Sequence, residues 1–212
     1  RLPGPRTEAQ LKTDPRGTST PNDYANSRTG QIGLLGEQRI GELTLAADIA
    51  QRRKSSRYFF DFGFGFSSRQ DTDVTVTSVS PRLHWNTTLA GMANRLTAGV
   101  DWSEWSYGND TLSGFGNRDE SGRQHNRAVY VRDELGLTAT TRLTVGVRRE
   151  RVGQEQKEIL TPLPKSDTAR TLTASELALQ QQLGGGWSAY GRLGRSFRVA
   201  NIDENRCFFA PC

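Results

Sequence analysis

The stretch Gln124–Arg151, QHNRAVYVRDELGLTATTRLTVGVRRER, decides how this chain folds. In its second half Leu143, Val145 and Val147 alternate with Thr144, Gly146 and Arg148. An extended backbone puts these on opposite faces, one apolar and the other small, polar or charged. A soluble sandwich strand can alternate in the same way, but such strands run to about 5–6 residues, whereas a strand crossing a bilayer at a tilt near 45° needs about 9–11. Both arms of the stretch are long enough to cross, and the turn between them is short. It therefore reads as a transmembrane hairpin in a barrel wall.

Composition narrows the class. Of 212 residues, 34% are hydrophobic, and the mean hydropathy is -0.65. No run approaches the roughly 18 apolar residues of a spanning helix. The opening RLPGPRTEAQ (Arg1–Gln10) lacks the apolar core of a secretory signal, so the chain is expected to begin internally or after processing. The 22 glycines and abundant Thr and Ser suit a barrel in which only alternate residues touch lipid. Clustering of β-branched and aromatic residues into periodic segments argues against disorder.

The alternation of short turns and long connections recurs on both sides of the opening hairpin. Gln31–Arg39 leads through a turn near Ile40-Gly41 into a return strand, Glu42 to about Arg53, with Leu43, Leu45, Ala47 and Ile49 on one face. The long connection Lys54–Asp73 carries Phe60, Phe62, Phe64 and Phe66 at a two-residue period, which predicts strand extending beyond the membrane. In Val74–Thr87, Val74 and Val76 are out of phase with Val79, Pro81, Leu83 and Trp85, and the phase change at a proline predicts a bulge. Leu96, Ala98, Val100 and Trp102 follow, then a polar loop about Tyr107–Arg123, the opening hairpin, and a third loop about Gly153–Arg170. Beyond these come a strand with Leu177, Leu179 and Leu183, a turn at Gly184–Gly186, and a last strand from Trp187. The expected fold is all-β, an antiparallel transmembrane barrel of which this chain supplies about eight strands, with short turns periplasmic and long loops outside. Trp85, Trp102, Trp105 and Trp187 are expected at the headgroup level. Asp133 shares the parity of Val129, Val131 and Leu135, so either a bulge reverses the phase or Asp133 lies near an interface.

The 28 Lys plus Arg against 23 Asp plus Glu give +5, without the basic run or aromatic-basic signature of a nucleic-acid binder. An Arg-rich lumen fits carboxylate or catecholate oxygens better, because the planar guanidinium matches their geometry. His84 and His125 have no nucleophile partner in sequence, so no enzyme activity, catalytic residue, metal site or cofactor is expected. Cys207 and Cys212 read as a small disulfide-closed loop.

Four segments carry a family resemblance. AVYVRDELGLTATTRLTVGVRRERV (Ala128–Val152) is similar to the mid-barrel hairpin of TonB-dependent outer-membrane receptors, and GRSFRVANIDE (Gly194–Glu204) to their strand-to-loop segment. LPGPRTEAQLKTDPR (Leu2–Arg16) and TPNDYANSRTGQ (Thr20–Gln31) resemble an outer loop and strand start in siderophore-receptor-like members. The resemblance implies an interior fragment of a 22-stranded barrel, with residues 1–30 as outer loop and lead-in, 31–198 as about eight strands and 199–212 as outer loop. It implies import of a ferric siderophore or similar iron chelate across the outer membrane of a Gram-negative bacterium. Further partners would be membrane lipid and lipopolysaccharide, together with a TonB energy-coupling complex acting through an N-terminal plug that these residues do not include. Arg148, Tyr190, Arg192 and Arg198 are the candidate ligand contacts, in competition with pairing to the plug. The residues alone leave open a small self-contained outer-membrane barrel, porin-like or adhesive, and a soluble β-sandwich binding module.

Overall fold

In a computed structural model, residues 4, 6–63, 65–114, 116–158 and 166–199 are described, and Phe64, Cys207 and Cys212 lie outside them. After a short helix, α1 (Glu8–Thr13), come β1 (Tyr24–Ile40), β2 (Leu43–Gly63), β3 (Phe66–Leu89), β4 (Met92–Ser113), β5 (Arg118–Gly136), β6 (Thr141–Glu158), β7 (Ser166–Gly184) and β8 (Trp187–Arg195). They form one 8-stranded sheet in chain order, with every neighbouring pair antiparallel. A sandwich would need two sheets, so the β-sandwich alternative falls. β1 and β8 are the edges of this sheet and are not paired with each other, so it is an open barrel wall rather than a small closed barrel.

Strand length comes from the hairpins and not from the membrane alone. β3 runs 24 residues and β4 22, at least twice the roughly 9–11 needed to cross. Much of what the sequence suggests as loop is therefore strand, including most of Tyr107–Arg123 and the flanks of Gly153–Arg170. At the opposite ends the turns are tight. Ala90 and Gly91 both have positive φ, 51° and 81°, which two-residue hairpins use because that twist matches the strands. β1 begins at Tyr24 rather than Gln31. The helix α1 is unforeseen, although its signal is present: Gln10 donates its backbone N–H to Thr7 Oγ1 at 3.3 Å, and Thr7 N–H returns to Gln10 Oε1 at 2.9 Å.

The register lines the apolar residues into one band across the sheet. Leu45 pairs with Leu83, Leu83 with Ala98, Ala98 with Val131, and Val131 with Val147. Toward the short turns the band ends at Leu43, Trp85 and Leu135, and toward the long hairpins at Ile49, Val79 and Trp102. Many of its members are exposed, Val129 at 56% and Leu193 at 74%, and others such as Leu83, Ala98 and Trp102 are half-buried, as on a surface that faces lipid.

Two expectations change. No register shift occurs in the paired residues of β3 across Val74–Trp85: Val79 pairs with Trp102 and Arg82 with Gly99, in one continuous register. Pro81 interrupts the ladder because it has no N–H to donate, and the chain absorbs this without an inserted residue. Val74 and Val76 thus lie on the polar face, level with Trp105 and Tyr107. Trp105 consequently stacks with Tyr107 on that face, at 5.5 Å between centroids, instead of lying on the apolar face with Trp85 and Trp102. The second change concerns Asp133, where β5 keeps its register against β4 and β6. With no bulge, the interface explanation remains. Asp133 sits near the Leu137–Thr140 turn and accepts a hydrogen bond from Asn94 Nδ2 at 2.6 Å.

Candidate functional site

The face opposite the apolar band is built from residues of the other parity, and at mid-height it is a ladder of paired charges. Arg82 pairs with Asp48 across β3 and β2. The same row continues through Gly99 and Tyr130 to Arg148. Gly99 is needed there, since a Cβ at that position would stand 2.4 Å from the Tyr130 hydroxyl. Tyr130 therefore lies across β4, and the Arg148 guanidinium carbon is 5.8 Å from its ring centroid. Arg148 also bonds Asp101 and donates from Nε to Glu150 Oε2 at 2.9 Å. Glu150 is only 6% exposed, so this contact keeps a buried carboxylate satisfied.

Nearer the short turns Glu176 joins two strands. Arg132 Nε reaches its Oε1 at 3.2 Å, and Arg192 Nη2 its Oε2 at 2.8 Å. Gly146 makes room, for a Cβ there would meet Glu176 Cγ at 3.0 Å.

Toward the long hairpins the polar face changes character. Asn109, 4% exposed, accepts from Gln70 Nε2 and Thr72 Oγ1, each at 2.8 Å, and donates to Glu120 Oε2 at 3.4 Å. Beside this satisfied network Tyr58 stacks on Phe60 with centroids 6.3 Å apart, and Trp105 stacks on Tyr107. Arg52 and Lys54 stand on the same face, opposite Val76 and Val74. Both are exposed, and neither makes an ion pair among the described residues. Cationic heads beside stacked rings form a surface suited to a planar or aromatic anion. Residue-type reasoning missed this group, though the parity of Arg52 and Lys54 with Tyr58 and Phe60 was its signal.

The four sequence candidates separate. Arg148 is committed to Asp101 and Glu150, and Arg192 to Glu176. Tyr190 is 66% exposed and lies close to the Gly184–Gly186 turn. Arg198 is exposed beyond the end of β8. The structure does not bring the four together. His84 Nδ1 lies 3.0 Å from Thr97 Oγ1, and His125 Nδ1 lies 3.4 Å from Glu104. Among the described residues no three His, Cys, Asp or Glu gather as a metal site.

A long-stranded antiparallel sheet with one lipid-compatible face and one charge-networked face defines the wall of an outer-membrane barrel. The chain belongs to the family described as TonB dependent receptor-like, beta-barrel, which matches residues 3–210. That family consists of outer-membrane receptors and transporters. No curated protein is similar to it by sequence search. Among solved structures it is similar to the unliganded ferric citrate transporter FecA, at TM-score 0.82 and 15% identity over 91% of this chain and 31% of that one. It is also similar to the open form of the ferric-catecholate import receptor Fiu from E. coli, at 0.70 and 12% over 89% and 39%. A third is BauA, the ferric preacinetobactin receptor from Acinetobacter baumannii, at 0.69 and 13% over 83% and 31%. The chain thus spans about a third of the length of these structures.

Proposed function

We propose that this chain is the wall section of an outer-membrane receptor that binds a ferric siderophore or similar anionic iron chelate and imports it with energy delivered through TonB. The plug that responds to TonB would lie elsewhere in the full-length protein. The observation that carries the reading is the division of the polar face. Its mid-height charges are spent on one another, whereas Arg52 and Lys54 stand without acidic partners beside stacked rings toward the long hairpins. An anionic chelate arriving from outside would meet these cations and rings first. Carboxylate or catecholate oxygens would take the guanidinium and ammonium donors, and ligand rings would stack on Trp105 or Tyr107.

On this reading Arg148 and Arg192 fix the lumen wall, Tyr190 faces the plug, and Arg198 contributes to ligand capture above β8. The test is binding and uptake of radiolabelled ferric citrate and a ferric catecholate by cells expressing the full-length protein. Arg52→Ala with Lys54→Ala should weaken the preferred chelate by about tenfold, the scale of a lost charge-assisted contact. Arg198→Ala should weaken it less. Affinity unchanged in all three removes this surface from the site, and uptake that persists without TonB removes the energy coupling.

A further inference from the structure

We propose that Trp105, Gln124 and Asn126, on the polar face of β4 and β5, form a subsite for an uncharged sugar, a pyranose unit of a saccharide. The rings of Trp105 and Tyr107 lie 5.5 Å apart between centroids and 10° from parallel. Tyr107 covers Trp105 from the long-hairpin side, so the other face of the indole looks along the strand toward Ser103. The floor there is small. Ser103 pairs with Ser78 and Ser78 with Ala50, all three half-buried rather than covered. Planar amides stand beside it, Gln124 opposite Trp105 and Asn126 opposite Ser103. Gln154 Nε2 donates to Gln124 Oε1 at 2.8 Å, and Gln124 Nε2 donates to Asn126 Oδ1 at 2.9 Å. This ladder orients the amides and, among the described residues, leaves both Nδ2 hydrogens of Asn126 and one Nε2 hydrogen of Gln124 to give.

The chemistry of this ledge selects its occupant. From β3 to β6 the rows through Trp105 and Ser103 hold no charged residue, and below them Asp101 and Glu150 are already paired with Arg148. A pyranose has a face of C–H bonds that fits the electron-rich face of the indole, and a rim of hydroxyls that both donate and accept. Adjacent hydroxyls match the fork of an amide, and Ser78 and Ser103 add hydroxyls at the floor. A flat apolar ring would leave the amides desolvated without partners, and a peptide would need an unpaired strand edge, which the interior strands β3 to β6 do not offer. The second stacked pair on this face lacks these conditions. Beside Tyr58 and Phe60, Gln70 is tied to Asn109 at 2.8 Å, and Ser56, next to Tyr58 on the same face, is only 7% exposed. The inference rests on the receptor reading only in taking the polar face as open to water; it needs no iron chelate, although it shares Trp105 with the surface proposed for one.

The experiment uses the full-length protein purified in lauryldimethylamine oxide, a detergent without sugar. Isothermal titration with maltotriose and with chitotriose reads binding, and heat-dependent gel mobility confirms the folded barrel. At least one trisaccharide should bind, with an affinity that raised salt leaves unchanged because the ligand carries no charge. Trp105→Ala, and separately Gln124→Leu with Asn126→Leu, should each weaken it by at least about tenfold, the scale of a good stacking or hydrogen-bonding contact. Phe59→Ala removes a stacked ring from the opposite face and should leave the affinity unchanged. Binding of neither trisaccharide, undiminished affinity in Trp105→Ala or in the amide double variant, or equal binding of triglycine would each overturn the proposal. Should either variant lack the folded mobility, Asn126→Ala decides in its place, with unchanged affinity again overturning the proposal. Ferric-chelate uptake is measured in parallel, so failure of the chelate reading leaves the saccharide result standing on its own.

Discussion

Asp133 and Arg148 belong to the same hairpin, face opposite sides of the sheet and are tolerated for different reasons. Arg148 sits among Asp101, Glu150 and the Tyr130 ring, a neighbourhood that supplies opposite charge and donor geometry at every approach. Asp133 stands on the apolar face with one partner, Asn94, and its position near the Leu137–Thr140 turn does most of what partners do for Arg148. Charge on the polar face is a matter of partners, and charge on the apolar face a matter of depth.

The sharpest way to break that contrast is to put a charge on the apolar face away from a rim. Val131 is central in the row Leu45–Leu83–Ala98–Val131–Val147. Val131→Arg should destabilise the full-length barrel in a bilayer by about 2–4 kcal/mol, measured by reversible urea unfolding in liposomes. A cost below about 1 kcal/mol would mean that this face does not meet hydrocarbon.

The next effect tests partnership. Arg148→Ala leaves the buried carboxylate of Glu150 and that of Asp101 without their shared donor, and should cost about 1–3 kcal/mol. In a double-mutant cycle with Glu150→Gln the losses should be clearly non-additive, because the second change removes the charge that the first left unpaired. Additive losses would show that Arg148 contributes by packing on Tyr130 instead.

Asp133→Leu should change stability by no more than about 1 kcal/mol in either direction, since a charge near the interface costs about 0–1 kcal/mol. The same substitution strips Asn94 of its acceptor, so adding Asn94→Ala should recover whatever is lost. A large gain from Asp133→Leu would place that residue deeper in the bilayer than its turn suggests.

The two faces were not equally legible. The apolar band could be read residue by residue, because a period of two survives any change in turn or loop: Leu143, Val145 and Val147 fall together in structure as they do in sequence. Strand ends were not legible. Polar residues in Tyr107–Arg123 and Gly153–Arg170 look like loop, yet among the described residues of these ranges cross-strand pairs such as Asn109 with Glu120 continue the strands beyond the band. The polar face was legible only as a set of candidates. Which carboxylate each arginine meets depends on register, and register placed Glu176 between Arg132 and Arg192 although β5 and β8 are far apart in the chain. Pro81 shows the limit of local rules, for a proline that suggests an inserted residue interrupts the β3–β4 pairing at Ser80 and Pro81 without shifting its register.

The smallest effect lies outside the membrane, on the β2–β3 hairpin. Burial raises the Asp71 carboxyl, but hydrogen bonds from Arg57 and Arg69 outweigh this and hold it below its usual range. A carboxyl with a lower pKa folded than unfolded contributes stability that is fully present above its unfolded value, about 3.9, and is lost as pH falls through the folded one. Amide hydrogen exchange in Arg57–Asp71 should therefore be unchanged from neutral pH down to about 5, once corrected for the intrinsic pH dependence of exchange, and should quicken only in more acid solution. In Asp71→Asn the acid step should disappear while the neutral-pH rate rises slightly, as expected of an exposed pair worth about 0–1 kcal/mol. An acid step that persists in Asp71→Asn would show that the Arg57–Asp71–Arg69 cluster does not set it.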